Sequence, residues 1–289
     1  MKRQNIFVCI ITILLGGIVN AQDSFTATEF IQGTYMGTTV PLRDFPTTEY
    51  DATSPKTMTI VENKSRINEK VNQNALPYND INTNFQDGIG GIYSYALEQN
   101  FVGFDNTGFT PPDPSGAAGP DHYVHAVNSS VKIFDKTGNL LVGPTSLGAF
   151  LGIGSNSGDP IVLYDQLADR YFVSEFGSVS NGLAIGVSVT NDPTGAYHVY
   201  QYSFDSFPDY PHYSIWPDAY YLTANKGGAN KVYAIERDVI LAGDPDPQII
   251  GFPLPGNTEN SNTVLSPEPA NLTGIEYPED LPGYIVYLQ

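Results

Sequence analysis

The chain has 289 residues, 31 acidic against 13 basic side chains, and a formal charge of −18. A chain this acidic repels phosphate backbones, which excludes nucleic acid as a partner, and it disfavours attraction to an anionic membrane surface. Its one cysteine, Cys9, lies close to the N-terminus.

Lys2 and Arg3 precede an apolar run from Ile6 to Leu15, and Val19-Asn20-Ala21 ends it with a small-residue cleavage site. This is the pattern of a secretory signal over residues 1–21, cleaved near Ala21. The apolar core is short of the roughly 20 residues of a membrane span. The sequence therefore predicts a secreted or cell-surface protein with no transmembrane segment. Cleavage removes Cys9 and two basic residues, which leaves a charge of −20 and no disulfide, thiolate metal site or cysteine nucleophile.

Residues 22–100 are rich in Thr, Asn, Asp and Pro and read as an irregular leader with a few strands. Phe25–Ile31 and Met58–Val61 are short apolar pieces, Lys64–Val71 is a weak helix, and Gly88–Leu97 collects Ile89, Ile92, Tyr93 and Tyr95. From residue 101 the chain becomes regular. Pro111 to Pro120 reads as a rigid loop of prolines and glycines. Strands are expected at Tyr123–Val127, Val131–Phe134 and Leu140–Val142, with a turn over 135–139 that needs Gly138 in the left-handed region. Further strands follow at Ile161–Tyr164, Tyr171–Phe176, Leu183–Val189 and Tyr197–Phe204. Then come Tyr213–Ile215, Tyr220–Ala224, Val232–Glu236, Gln248–Phe252 and Tyr284–Leu288.

These runs repeat. Tyr123, Tyr171, Tyr220 and Tyr284 align at spacings of 48, 49 and 64 residues, the last lengthened by an insertion at 253–281. Ala126, Ser174 and Thr223 then share a small-residue position, assigned to a tightly packed inner strand. A four-stranded unit repeating at about 50 residues indicates a propeller blade. The expected fold is all-β and β-propeller-like, with about three blades and the start of a fourth over residues 101–289. Such a ring is incomplete, since propellers have about 4–8 blades, so the chain reads as an N-terminal fragment.

Site chemistry is weakly signalled. No G-x-S-x-G elbow is present. Asp113, Asp121, Asp159 and Asp165 sit in or beside Gly/Pro loops and would suit calcium, although Asp is also a turn former. Asp113 and Asp159 are the metal candidates. Glu175 stands in an otherwise apolar strand, where it would face a central channel or pair with Arg170 or Arg237. Tyr213 and Trp216, within an aromatic cluster from Tyr210 to Tyr221, would either stack on a sugar or pack between blades. The four histidines read as structural or surface residues; His122 and His125 point to opposite faces of their strand.

The runs PPDPSGAAGPDHYVHAVN, GDPIVLYDQLADRYFVSEF and DYPHYSIWPDAYYLTAN resemble motifs of large secreted propeller-like proteins of Bacteroidota-type bacteria. Those proteins carry downstream immunoglobulin-like or PKD-like modules and a type IX secretion sorting domain. The resemblance covers residues 101–289 and implies a secreted propeller without transferring any catalytic residue. Sialidase-type Asp boxes are absent. The sequence favours a binding module for glycan or extracellular protein over an enzyme. A polysaccharide-active hydrolase or lyase completed by missing blades, and a structural scaffold, stay open.

Overall fold

The computed structural model describes residues 26–49, 56–57, 98–105, 107–228, 230–254, 267–274, 276–277 and 283–286. The signal at 1–21, the weak helix at 64–71 and the apolar cluster at 88–97 lie outside the described residues. The fold is all-β, built on three large antiparallel sheets.

The N-terminal segment gives β1 (Glu29–Gln32), β2 (Thr34–Thr38), a 3-10 turn at Leu42–Asp44, and β3 (Lys56–Thr57), which pairs in parallel with β4 (Phe109–Thr110). The first sheet follows in sequence: β5 (Ser115–Ala118), β6 (His122–Val127), β7 (Ser130–Asp135) and β8 (Leu140–Ser146). A short helix, α1 (Leu147–Phe150), leads to the second sheet: β9 (Ile161–Asp165), β10 (Arg170–Phe176), β11 (Gly182–Ser188) and β12 (Tyr197–Ser203). The third sheet is β13 (Asp209–Ile215), β14 (Tyr220–Asn225), β15 (Asn230–Ile235) and β16 (Gln248–Pro253), with α2 (Arg237–Ala242) before its last strand. A two-stranded pair, β17 (Glu268–Pro269) and β18 (Ile285–Val286), lies beside β13 and β14.

The tyrosine register holds across the three sheets. Tyr123, Tyr171 and Tyr220 each stand at the start of the second strand, as its first or second residue, opposite Ala118, Tyr164 and Ile215 of the first. Ala126, Ser174 and Thr223 are all buried and share one position on the second strands, opposite Ser115, Ile161 and His212. The loop expected over 111–120 also changes. It contains β5, whose Ser-Gly-Ala-Ala run has no side-chain signature of a strand. The 135–139 turn forms as expected: Asp135 Oδ1 accepts from the Thr137 and Asn139 amides at 2.8 and 2.9 Å, and Gly138 has φ 91°.

The N-terminal segment runs along the outer edges of the sheets. β1 pairs with β16 and β2 with β12, so the third and second sheets each gain a fifth strand. Leu42 and Arg43 then donate to the carbonyls of Gly195 and Thr194, and the Thr48 amide reaches Pro144 in β8 at 2.7 Å. One segment thus crosses all three sheets and covers edge groups that would otherwise template foreign pairing.

The second sheet is buried on both faces, and every residue of β11 is buried. Side-chain alternation explains this. Tyr171 and Val173 face one core with Val124, Ile133 and Phe150 of the first sheet's side. Phe172 and Phe176 face the other, with Tyr213, Tyr220 and Leu222 of the third. A buried polar staple joins the second and third sheets. Arg237 Nε and Nη2 donate to Asp165 Oδ2 and Oδ1 at 2.8 and 3.2 Å, and the Tyr220 hydroxyl donates to Oδ2 at 2.6 Å. The first strands lie side by side, with β9 between β5 and β13.

A candidate acidic site where three loops meet

Each of the three first strands is entered through the same local structure. Asp113 (φ 37°), Asp159 (φ 53°) and Tyr210 (φ 55°) adopt left-handed backbone, each immediately before a proline: Pro114, Pro160 and Pro211. Such φ values are uncommon outside glycine, and their recurrence at one repeat position marks a shaped loop. Because β5, β9 and β13 are neighbours, the loops bring Asp113, Asp159 and Asp209 together. The Asp113 carboxyl abuts that of Asp159, and Asp209 lies within electrostatic reach.

Asn128, at the end of β6, ties two of the loops. Its Nδ2 donates to Asp113 Oδ2 at 2.6 Å and to the Pro111 carbonyl at 2.9 Å, and its Oδ1 accepts from the Asp159 amide at 2.8 Å. Burial, reinforced by the neighbouring Asp113 and Asp209 charges, pushes the Asp159 carboxyl up to about 6. Ionising it beside other carboxylates in a partly desolvated site is costly.

Glu175 lies behind the second of these loops. It is 1% exposed on β10, on the same face as Tyr171 and Val173, which points it toward the first sheet. Counting from the aligned tyrosines, its counterparts are Val127 and Ala224, both buried and apolar. A carboxylate has therefore replaced a core side chain in one repeat only. Glu175 Oε1 accepts the Ser157 and Gly158 amides, both at 2.8 Å. Oε2 is buried without a hydrogen-bond partner. The Ser129 hydroxyl lies near enough to favour the ionised form, yet it makes no bond to Oε2 of adequate geometry. Burial dominates and pushes the Glu175 carboxyl up to about 7 against the amide hydrogen bonds, with Asp159 adding to the rise. Neither expected arginine pairs with Glu175. Arg170 donates to the carbonyls of Ala168 and Asp169, and Arg237 is held by Asp165.

The aromatic residues divide by burial. Tyr213 is 6% exposed, with its ring 4.9 Å from Phe172 in the core. Trp216 is equally buried, and its Nε1 donates to the Ala270 carbonyl at 2.8 Å. Neither offers an open face. Tyr210 does: it is 43% exposed, adjoins Asp209 and stacks edgewise on His212 at 4.3 Å. Among the described residues no three His, Cys, Asp or Glu side chains are grouped to hold a metal ion. Asp113 and Asp159 bring two carboxyls together, and Asp165 is engaged by Arg237 and Tyr220.

Comparison of the chain with protein-family models, curated proteins and solved structures returned no match in any of the three. No described helix is long and apolar enough to cross a membrane. Sequence reasoning had marked Asp113, Asp159 and Glu175. Tyr210 belongs to the aromatic cluster but is not among its site candidates, and Asn128 and Asp209 carry no site signal of their own in the sequence. The signal that finds them is the proline repeated at 114, 160 and 211, each preceded by the residue that must bend.

Proposed function

We propose that the chain is the ligand-binding part of a secreted or cell-surface protein, that its sheets are blades of a propeller, and that its ligand is a glycan. The meeting of equivalent loops at Asp159, where the Asp113 carboxyl abuts it and Asp209 lies within electrostatic reach, carries this reading. Half-buried carboxyls at a rim accept hydrogen bonds from sugar hydroxyls, and the exposed Tyr210 ring beside Asp209 supplies an apolar platform for a pyranose face. Export is supported by the residues at 1–21, and the propeller by the common register of the three sheets.

A glycan array probed with the full chain tests the reading. The expected result is binding to a restricted set of glycans, lost in Tyr210→Ala with the fold retained. An array with no hits beside an intact fold contradicts it.

One observation favours a second reading, a polysaccharide-active hydrolase. Glu175 and Asp159 hold protons close to neutral pH, as a general acid must. Release of reducing ends from a polysaccharide panel, abolished by Glu175→Gln, would replace the binding reading with this one.

A further inference from the structure

Residues 101–104 lie against the face of the first sheet that points away from the second. Val124, Ala126, Val131 and Ile133 face the core shared with the second sheet. The alternate residues, Tyr123 and His125 of β6 with Lys132 and Phe134 of β7, face the other way. The Phe101 ring centre is 5.3 Å from that of Phe134 and 6.2 Å from that of Tyr123, and Phe104 meets His125 edgewise at 5.2 Å. Gly103 passes so close to the imidazole that a Cβ there would come within 2.6 Å of Nδ1. Lys132 ties the segment down. Its Nζ donates to the Gly103 carbonyl at 3.2 Å and lies 4.7 Å from the centre of the Phe104 ring.

His125 Nδ1 is buried under this segment without a hydrogen-bond partner. Among the described residues the ring makes no ion pair with a carboxylate. Its surroundings are poor in negative charge. β7 presents Lys132 directly opposite, β5 presents Gly116, and on β6 itself the Tyr123 ring lies 5.6 Å away, its hydroxyl kept neutral by burial. The acidic residues of the segment, Glu98 and Asp105, are exposed. A proton on Nδ1 would bury a charge beside Lys132 and add a donor without an acceptor. We propose that His125 is an acid-sensitive latch: the neutral ring lets residues 101–104 close on the first sheet, and protonation releases them and uncovers Tyr123 and Phe134. Burial, with Lys132 adding to it, holds the closed imidazole below its ordinary 6.5. The released form takes up the proton that the closed form refuses. The closed form therefore loses ground as pH falls through 6.5.

The test is limited proteolysis of the full chain at pH 7.5 and pH 5.5 with a protease active at both. Cleavage beside Phe101 and Phe104 is read by mass spectrometry and divided by cleavage of a free peptide of residues 98–107 at the same pH. The divided rate follows the population of the released form. It is expected to rise in acid by up to about tenfold, the limit that an ordinary histidine pKa of about 6.5 sets one pH unit below it. Cleavage within β11 should not rise, because the raised Glu175 carboxyl strengthens the whole fold in acid. His125→Phe, which takes up no proton, should keep the low rate at both pH values. Where that variant does not fold, NMR titration of the His125 ring in the wild type decides, with an apparent pKa below 6.5 expected. A divided rate unchanged between the two pH values overturns the latch. So does a rise shared with β11, a rise kept in a folded His125→Phe, or a ring that titrates at or above 6.5.

Discussion

Glu175 is the residue on which structure and chemistry meet. Val and Ala fill its place in the neighbouring sheets, so a packing role alone would favour an apolar side chain. Its folded pKa of about 7 lies above the ordinary 4.5. The native state therefore binds a proton that the unfolded state releases, and stability is greatest below about 4.5 and falls as pH rises through 7. At 1.36 kcal/mol per pH unit the loss is roughly 3 kcal/mol. Urea denaturation at pH 5 and pH 8 should show this fall in the wild type and a flatter profile in Glu175→Gln, whose amide does not titrate. Asp159 contributes in the same direction, since its carboxyl is also raised.

At the scale of elements, the Asp165–Arg237–Tyr220 staple and the N-terminal segment hold neighbouring sheets in place. Arg237→Ala leaves the buried Asp165 without its counter-charge, held only by the Tyr220 hydroxyl and the Leu167 and Ala168 amides, and the expected cost is about 3 kcal/mol. Arg237→Met together with Asp165→Leu should cost less than the single change, as read from urea midpoints. The N-terminal segment has a different part. A chain beginning at residue 46 exposes the outer edges of β16 and β12. It should melt lower and form oligomers by light scattering. A monomer with an unchanged midpoint would show that the segment is dispensable. Much of this level is legible in the sequence. Runs led by Tyr123, Tyr171 and Tyr220 are strands because aromatic and β-branched residues alternate there. β5 was hidden by its small residues. β1 and β2 were hidden by distance, since Gln32 meets Pro247 from 215 positions away, and no local pattern encodes a partner so remote. α2 is six residues long and falls between the expected strands Val232–Glu236 and Gln248–Phe252, too short to show a helical period.

At the scale of the whole molecule, the site belongs to no single sheet. Asp113 enters with the first sheet, Asp159 and Glu175 with the second, and Asp209 and Tyr210 with the third. The sequence displayed the parts: an aspartate before each of two prolines and a glutamate in an apolar strand. It did not display their meeting, which depends on β9 lying between β5 and β13. Nor did it separate Tyr210 from Tyr213 and Trp216, because exposure is settled by packing across sheets. The most direct test of a shared ligand site is a side-by-side glycan array of the wild type and the double variant Asp159→Asn, Glu175→Gln, with melting curves for both. The predicted result is a defined set of glycans bound by the wild type and lost by a folded double variant. Retention of the same glycans by the double variant would contradict a site at this meeting of loops.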